Sequence, residues 1–218
     1  VSGHTIEAVD QAGEVGVRLG GMRRDVVVLF SDVRGFTAFS ESIPPEQVVA
    51  MLNVYLRAQA KVVSAHGGQI DKYVGDEIVA VFHSDDMADA ARRAVRAAKQ
   101  MQRILDKLRE SGKVPRVHVG IGVNAGSVVM GAIGTEERMD YTVIGDTVNT
   151  GARLCSAAGK SEIIISQSIA ELVADVETLR SIEPINVKNK SEPLVVYLVE
   201  YDLDQRGDGS RVFIAAPD

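Results

Sequence analysis

The order in which strand-like and helix-like segments alternate constrains this chain more than any other feature. The first firm segment, Asp25 to Ser31, is a strand-length apolar run, Val26-Val27-Val28-Leu29-Phe30. Ser42 is expected to cap a helix with Pro44 and Pro45 in its first turn and apolar residues at Val48, Leu52, Tyr55, Leu56, Val62 and Val63, until Gly67-Gly68 stops it. Gln69 to Phe82 reads as a hairpin that turns at Gly75-Asp76. Asp85 or Asp86 opens a second long helix through Ala90, Ala94, Ala97, Met101, Ile104, Leu105 and Leu108, ending at Ser111-Gly112. Strands follow at Arg116 to Val123 and Ser127 to Ile133.

Strand, helix, hairpin, helix, strand is the ferredoxin-like βαββαβ arrangement: an α+β fold with a mostly antiparallel sheet and helices on one face. Additional C-terminal strands and helices extend it. Tyr141 to Ile144 alternates as a strand and turns at Gly145-Asp146 into a helix, followed by a strand at Glu162 to Ile165, a helix from about Gln167 to Leu172, and strands near Leu179 to Val187 and Leu194 to Tyr201. With 218 residues, one well-buried domain is the simpler organisation. Residues 1–23 read as a linker or arm, 24–201 as the domain and 202–218 as a tail. A start at Val1 suggests a domain cut from a longer protein.

Composition removes several functions. A formal net charge of -6 provides no basic footprint for nucleic acid or anionic membrane. The single cysteine, Cys155, excludes an internal disulfide and a multi-cysteine zinc site, and its apolar helical position suits a buried thiol. Apolar runs are far shorter than the roughly 20 residues of a membrane helix, so a cytoplasmic domain is expected. His66, His83 and His118 lack metal-ligand spacing.

Four places carry possible chemistry. Asp32 ends the first strand, where it reads equally as a hard-metal carboxylate or a capping aspartate. After it, the amides of Arg34, Gly35, Phe36 and Thr37 can face phosphate oxygens. Asp76 marks a turn when taken alone, but with Asp32 it makes a carboxylate pair suited to two magnesium ions. Glu77 reads as an exposed strand residue or an ion-pair partner. Asn149 and Arg153 are four residues apart and leave one helix face, to reach a ligand or to meet solvent.

With Ser31-Asp32-Val33-Arg34-Gly35-Phe36-Thr37, Lys72-Tyr73-Val74-Gly75-Asp76-Glu77 and the Tyr141 to Arg153 strand and helix, the chain resembles the class III nucleotidyl cyclase catalytic domain, from about Arg24 to Tyr201. The resemblance implies that Asp32, Asp76 and the carbonyl of Val33 hold Mg2+ or Mn2+, two ions per site. It gives Lys72 and Thr142 the adenine, Gly35, Phe36 and Thr37 the phosphates, Asn149 the ribose, Arg153 the transferred phosphoryl group and Lys188 the terminal phosphates. It further implies ATP as substrate, a head-to-tail homodimer with shared sites, and an upstream sensor or regulatory domain. Threonine at 142 resembles the subgroup in which bicarbonate often stimulates activity.

Two alternatives remain. Val74-Gly75-Asp76-Glu77 also resembles the Gly-Gly-Asp-Glu-Phe signature of diguanylate cyclases, without its first glycine and with no work for Asn149 and Arg153. A catalytically silent cyclase-homology module for dimerisation or nucleotide sensing would usually lack one member of the set.

Overall fold

The computed structural model describes residues 20–112, 117–135, 139–186 and 192–202. In chain order these form β1 (Gly20–Arg34), α1 (Phe36–Glu41), α2 (Pro45–Ala65), β2 (Gln69–Val74), β3 (Glu77–Phe82), α3 (Met87–Glu110), β4 (His118–Gly134), β5 (Met139–Ile144), α4 (Asp146–Ala157), β6 (Ile163–Ser166), α5 (Gln167–Val173), β7 (Leu179–Ser181) and β8 (Val196–Val199).

The sheet runs β2-β3-β1-β4-β6-β8-β7, and β5 also pairs with β4. Its first four strands have the expected ferredoxin-like order. Only the β4/β6 pair is parallel among those described. The apolar run of β1 does not alternate because both of its faces are covered. Val27, Leu29 and Val33 pack with α2 and α3, whereas Val26, Val28 and Phe30 lie in a second cluster with Cys155 and against Val148 and Ala152 of α4. Helices therefore cover both faces, where one was expected. Gly122 permits this: a Cβ there would fall on the backbone of Cys155 and Gly151, so only glycine lets α4 lie against β4.

Several boundaries differ from the sequence reading. β1 begins at Gly20, inside the segment expected to be an arm, because Gly20 pairs with Ala132 at the far end of β4. β4 is one strand of 17 residues where two were expected; the Asn124-Ala125-Gly126 interruption looks like a turn, yet Asn124 pairs with Val28 and its side-chain amide donates to the Thr147 carbonyl at 2.8 Å. α2 starts at Pro45 with Pro44 as its cap residue, and Ser42 instead ends α1, its hydroxyl donating to the Phe39 carbonyl at 2.7 Å. Asp86, rather than Asp85, caps α3 by accepting from the Ala88 amide at 2.9 Å. The long C-terminal strand shortens to β7 plus an isolated bridge between Ile185 and Leu194.

Candidate active site

The end of β1 and the turn between β2 and β3 meet at a group of carboxylates. The Val33 amide donates to Asp76 Oδ2 at 3.3 Å. In an extended strand a residue's N–H and C=O point to the same edge, so the Val33 carbonyl also faces the Asp76 side. Asp32 lies one residue away and is half-buried. Burial, then the nearby charge of Asp32, push the Asp76 carboxyl up to about 6. Glu77 is raised as well, by burial first and then by Asp32 and Asp76. It is partly buried within this group, with the Arg34 charge nearby, which corrects its reading as an exposed strand residue.

Arg34 offsets part of this charge. Its Nη1 donates to Asp32 Oδ2 at 3.1 Å, its Nη2 donates to the Cys155 carbonyl, and the guanidinium lies over Gly120, where a Cβ would have no room. The side chain therefore ties the carboxylates to the C-terminal part of α4. Cys155 is a buried thiol, pushed up to about 12 by burial, as expected for an inert cysteine.

The donor chemistry fits a hard divalent cation such as Mg2+ or Mn2+, which takes oxygen ligands and would relieve the crowding of Asp32 and Asp76. Among the described residues, no group of three or more His, Cys, Asp or Glu is gathered to hold a metal by side chains alone. Asp32, Asp76 and the Val33 carbonyl would share such an ion with substrate phosphate oxygens, the usual arrangement for magnesium.

Beyond Arg34 the chain turns at Gly35, whose φ of 72° lies in the left-handed region, and enters α1 at Phe36 and Thr37. The Gly35 carbonyl accepts the Phe39 amide at 3.1 Å, so the earlier amides of this turn have no intrahelical acceptor. The Phe36 side chain packs against the core, leaving its backbone as the part that could face a ligand.

A second group forms where β2 approaches β5. Lys72 and Thr142 are brought to one residue, Asp71. Thr142 Oγ1 donates to Asp71 Oδ2 at 2.8 Å, and Lys72 Nζ lies 3.3 Å from the same oxygen. Asp71 is a functional candidate that the sequence reading missed; the only local signal was an acidic residue between Ile70 and Lys72 in a short strand.

Asn149 and Arg153 occupy the outer side of α4, opposite Gly151, Leu154 and Cys155, which are buried. Asn149 is exposed and Arg153 half-buried, and among the described residues neither side chain makes a hydrogen bond or ion pair. Lys188 lies outside the described residues. An open cavity of about 760 Å³ lies beside the start of α4, lined by residues including Asn124, Thr147, Thr150 and Ser168; among the described residues, none of the expected metal, base or phosphate residues lines it.

The adenylate and guanylate cyclase catalytic domain model matches residues 21–200. The chain belongs to that family. Among curated proteins, this cyclase domain is 36% identical over 201 residues to the terminal-differentiation specific adenylate cyclase of Dictyostelium discoideum, covering 88% of this chain and 9% of that protein. It is 39% identical to the adenylate cyclase of Anabaena cylindrica, covering 81% of this chain and 37% of that one. The domain thus spans well under half the length of both relatives. Among solved structures, the adenylyl cyclase CyaB from P. aeruginosa has a TM-score of 0.79 at 34% identity, covering 84% of this chain and 97% of that chain. The guanylyl cyclase Cya2 has a TM-score of 0.76 at 37% identity, covering 83% and 94%. The class III cyclase fold is shown by both. Overall similarity does not separate the two purines. No helix among the described residues is long and apolar enough to cross a membrane.

Proposed function

We propose that this cyclase domain converts ATP to 3′,5′-cyclic AMP and pyrophosphate. The observation that carries the choice of ATP is the meeting of Lys72 and Thr142 at Asp71, since a lysine donor suits adenine N1 and a threonine oxygen can accept from the exocyclic amine. Guanine presents a hydrogen at N1 and a carbonyl at position 6, the opposite pattern.

Asp32, Asp76 and the Val33 carbonyl would hold two divalent ions, which supply charge neutralisation and lower the pKa of the ribose 3′-hydroxyl. Around them, the amides of residues 34–37 receive phosphate oxygens, Asn149 orients the ribose, and Arg153 meets the charge that develops on the α-phosphoryl group. Lys188 would meet the terminal phosphates. The 3′-oxygen forms its bond to the α-phosphorus in line as the bond to the β-phosphate oxygen breaks, and pyrophosphate leaves. The Asp32/Asp76 pair and the Lys72, Thr142, Asn149 and Arg153 set would come from different protomers of a head-to-tail homodimer, giving two equivalent sites. A sensor or regulatory domain upstream of the cyclase domain is also part of the proposal.

The family match supports neither the diguanylate cyclase reading nor, with every described position of the set filled, a silent module. The test is direct: incubate the purified protein with ATP or GTP and Mn2+ or Mg2+, and identify the product by mass. Cyclic AMP from ATP is the expected result; cyclic GMP alone, or a dinucleotide, would overturn it. By resemblance to the threonine subgroup, bicarbonate at constant pH and ionic strength should raise the rate, and an unchanged rate removes that assignment.

A further inference from the structure

β2 contains one residue more than its partner requires. Ile70 pairs with Ala80 and Lys72 with Val79, so Asp71 is the extra residue of a β-bulge. Bulges turn a side chain away from its regular alternation, and here the one so placed is an aspartate whose side chain is 0% exposed. Burying a carboxylate in a strand is costly unless it is paired and hydrogen-bonded, which points to a specific task. Its Oδ2 receives the Thr142 hydroxyl and the Lys72 ammonium, while its Oδ1 has no hydrogen-bond partner among the described residues.

A threonine hydroxyl has one hydrogen and two lone pairs, so by itself it can accept from an amine or donate to a carbonyl. It does not discriminate between the 6-amino group of adenine and the 6-oxo group of guanine. A carboxylate can only accept. Once the Thr142 hydrogen is donated to Asp71, only the lone pairs of Thr142 are left for a ligand. The same oxygen also holds the Lys72 ammonium beside Thr142, with donors to spare for the ring. We infer that Asp71 is the positioning residue for base selection: it makes Thr142 an acceptor toward the purine 6-position and holds Lys72 next to it. This rests on the proposal that Lys72 and Thr142 read the base.

The test uses the whole protein in three parts. First, wild-type enzyme is assayed with N6-methyl-ATP and with 6-methoxypurine riboside triphosphate, which are close in size and both retain N1 as an acceptor, but differ in offering a donor or an acceptor at position 6. The N6-methyl compound should be used about tenfold better, the difference expected from one hydrogen bond made or left unmade. Equal use would overturn the inference, and this part needs no variant to fold.

Second, Asp71→Asn should lower the ATP/GTP ratio of kcat/KM by about tenfold, because an amide can donate to Thr142 and release its hydrogen. On the ATP side the loss should fall mainly on KM, and the preference between the two analogues should collapse. Third, in a Thr142→Val background the same Asp71→Asn change should lower the ratio by clearly less than it does in the wild type, because only its hold on Lys72 is then left to lose. Equal losses on ATP and GTP, or losses that add across the two variants, would make Asp71 merely structural and overturn the inference. If Thr142→Val itself leaves the ATP/GTP ratio unchanged, the base reading fails and this inference falls with it. If Thr142→Val shifts the ratio while Asp71→Asn does not, only the role of Asp71 is lost.

Discussion

The Val33 amide donates to the Asp76 carboxylate at 3.3 Å, joining the end of β1 to the turn between β2 and β3. Through that bond two residues far apart in sequence are held side by side, with Asp32 next to them. Asp32→Ala or Asp76→Ala should therefore abolish metal-dependent turnover, by roughly a hundredfold or more, since a metal ion contributes several kcal/mol of transition-state stabilisation. The measurement is cyclic AMP formation with Mn2+, alongside circular dichroism to show that the variants stay folded. An Asp32→Ala protein of normal activity, or turnover without divalent ion, would end the assignment.

Burial and the charge of Asp32 raise Asp76 to about 6 in the metal-free domain. A raised carboxyl contributes stability that is fully present below its ordinary value and lost as pH rises through about 6. Metal-free protein should then melt at lower temperature at pH 7.5 than at pH 5, as far as this residue is concerned. Asp76→Asn should reduce the pH dependence and raise the metal-free melting temperature at pH 7.5 by about 2–4 °C, the effect of ~1 kcal/mol once solvent screening is allowed for. Metal affinity should weaken as pH falls through about 6, because binding requires the ionised carboxylate. A calorimetric titration of Mn2+ that is flat across that range would contradict this account.

Lys72 lies 3.3 Å from the oxygen that also receives Thr142. Lys72→Glu replaces a charged donor by an acceptor, so kcat/KM for ATP should fall about 10- to 100-fold and the ATP/GTP gap should narrow. A full switch is not expected, since Thr142 and Asp71 are unchanged. Wild-type preference in this variant would place Lys72 away from the base.

The proposed two-protomer site predicts complementation. Asp32→Ala and Arg153→Ala proteins should each be nearly inactive, and mixing them should restore activity, because one site of each mixed dimer is built from wild-type residues. With free exchange about half the dimers are mixed, so recovery should approach about one quarter of the wild-type rate. No recovery despite demonstrated subunit exchange would place Asp32 and Arg153 in the same chain's site.

Much of this was legible in the sequence because it is local. Helical spacing in α2 and α3, the Gly75-Asp76 turn and the strand-to-helix transition at Gly145 follow from side-chain periodicity and backbone preference. So did the candidate residues, as residue types in order along the chain. The tertiary structure decided what depends on pairing between distant segments. Gly20 joined β1 because Ala132 lies opposite, and β4 ran unbroken because β1 pairs with it from His118 to Ala132. Glu77 became a partly buried carboxylate because β3 brings it to Asp32 and Asp76. Asp71 was the least visible. In sequence it is an acidic residue beside a lysine; a bulge and the approach of β5 turn it into the buried acceptor of the Thr142 hydroxyl, since whether a polar side chain is solvated or bound is set by what the fold places around it.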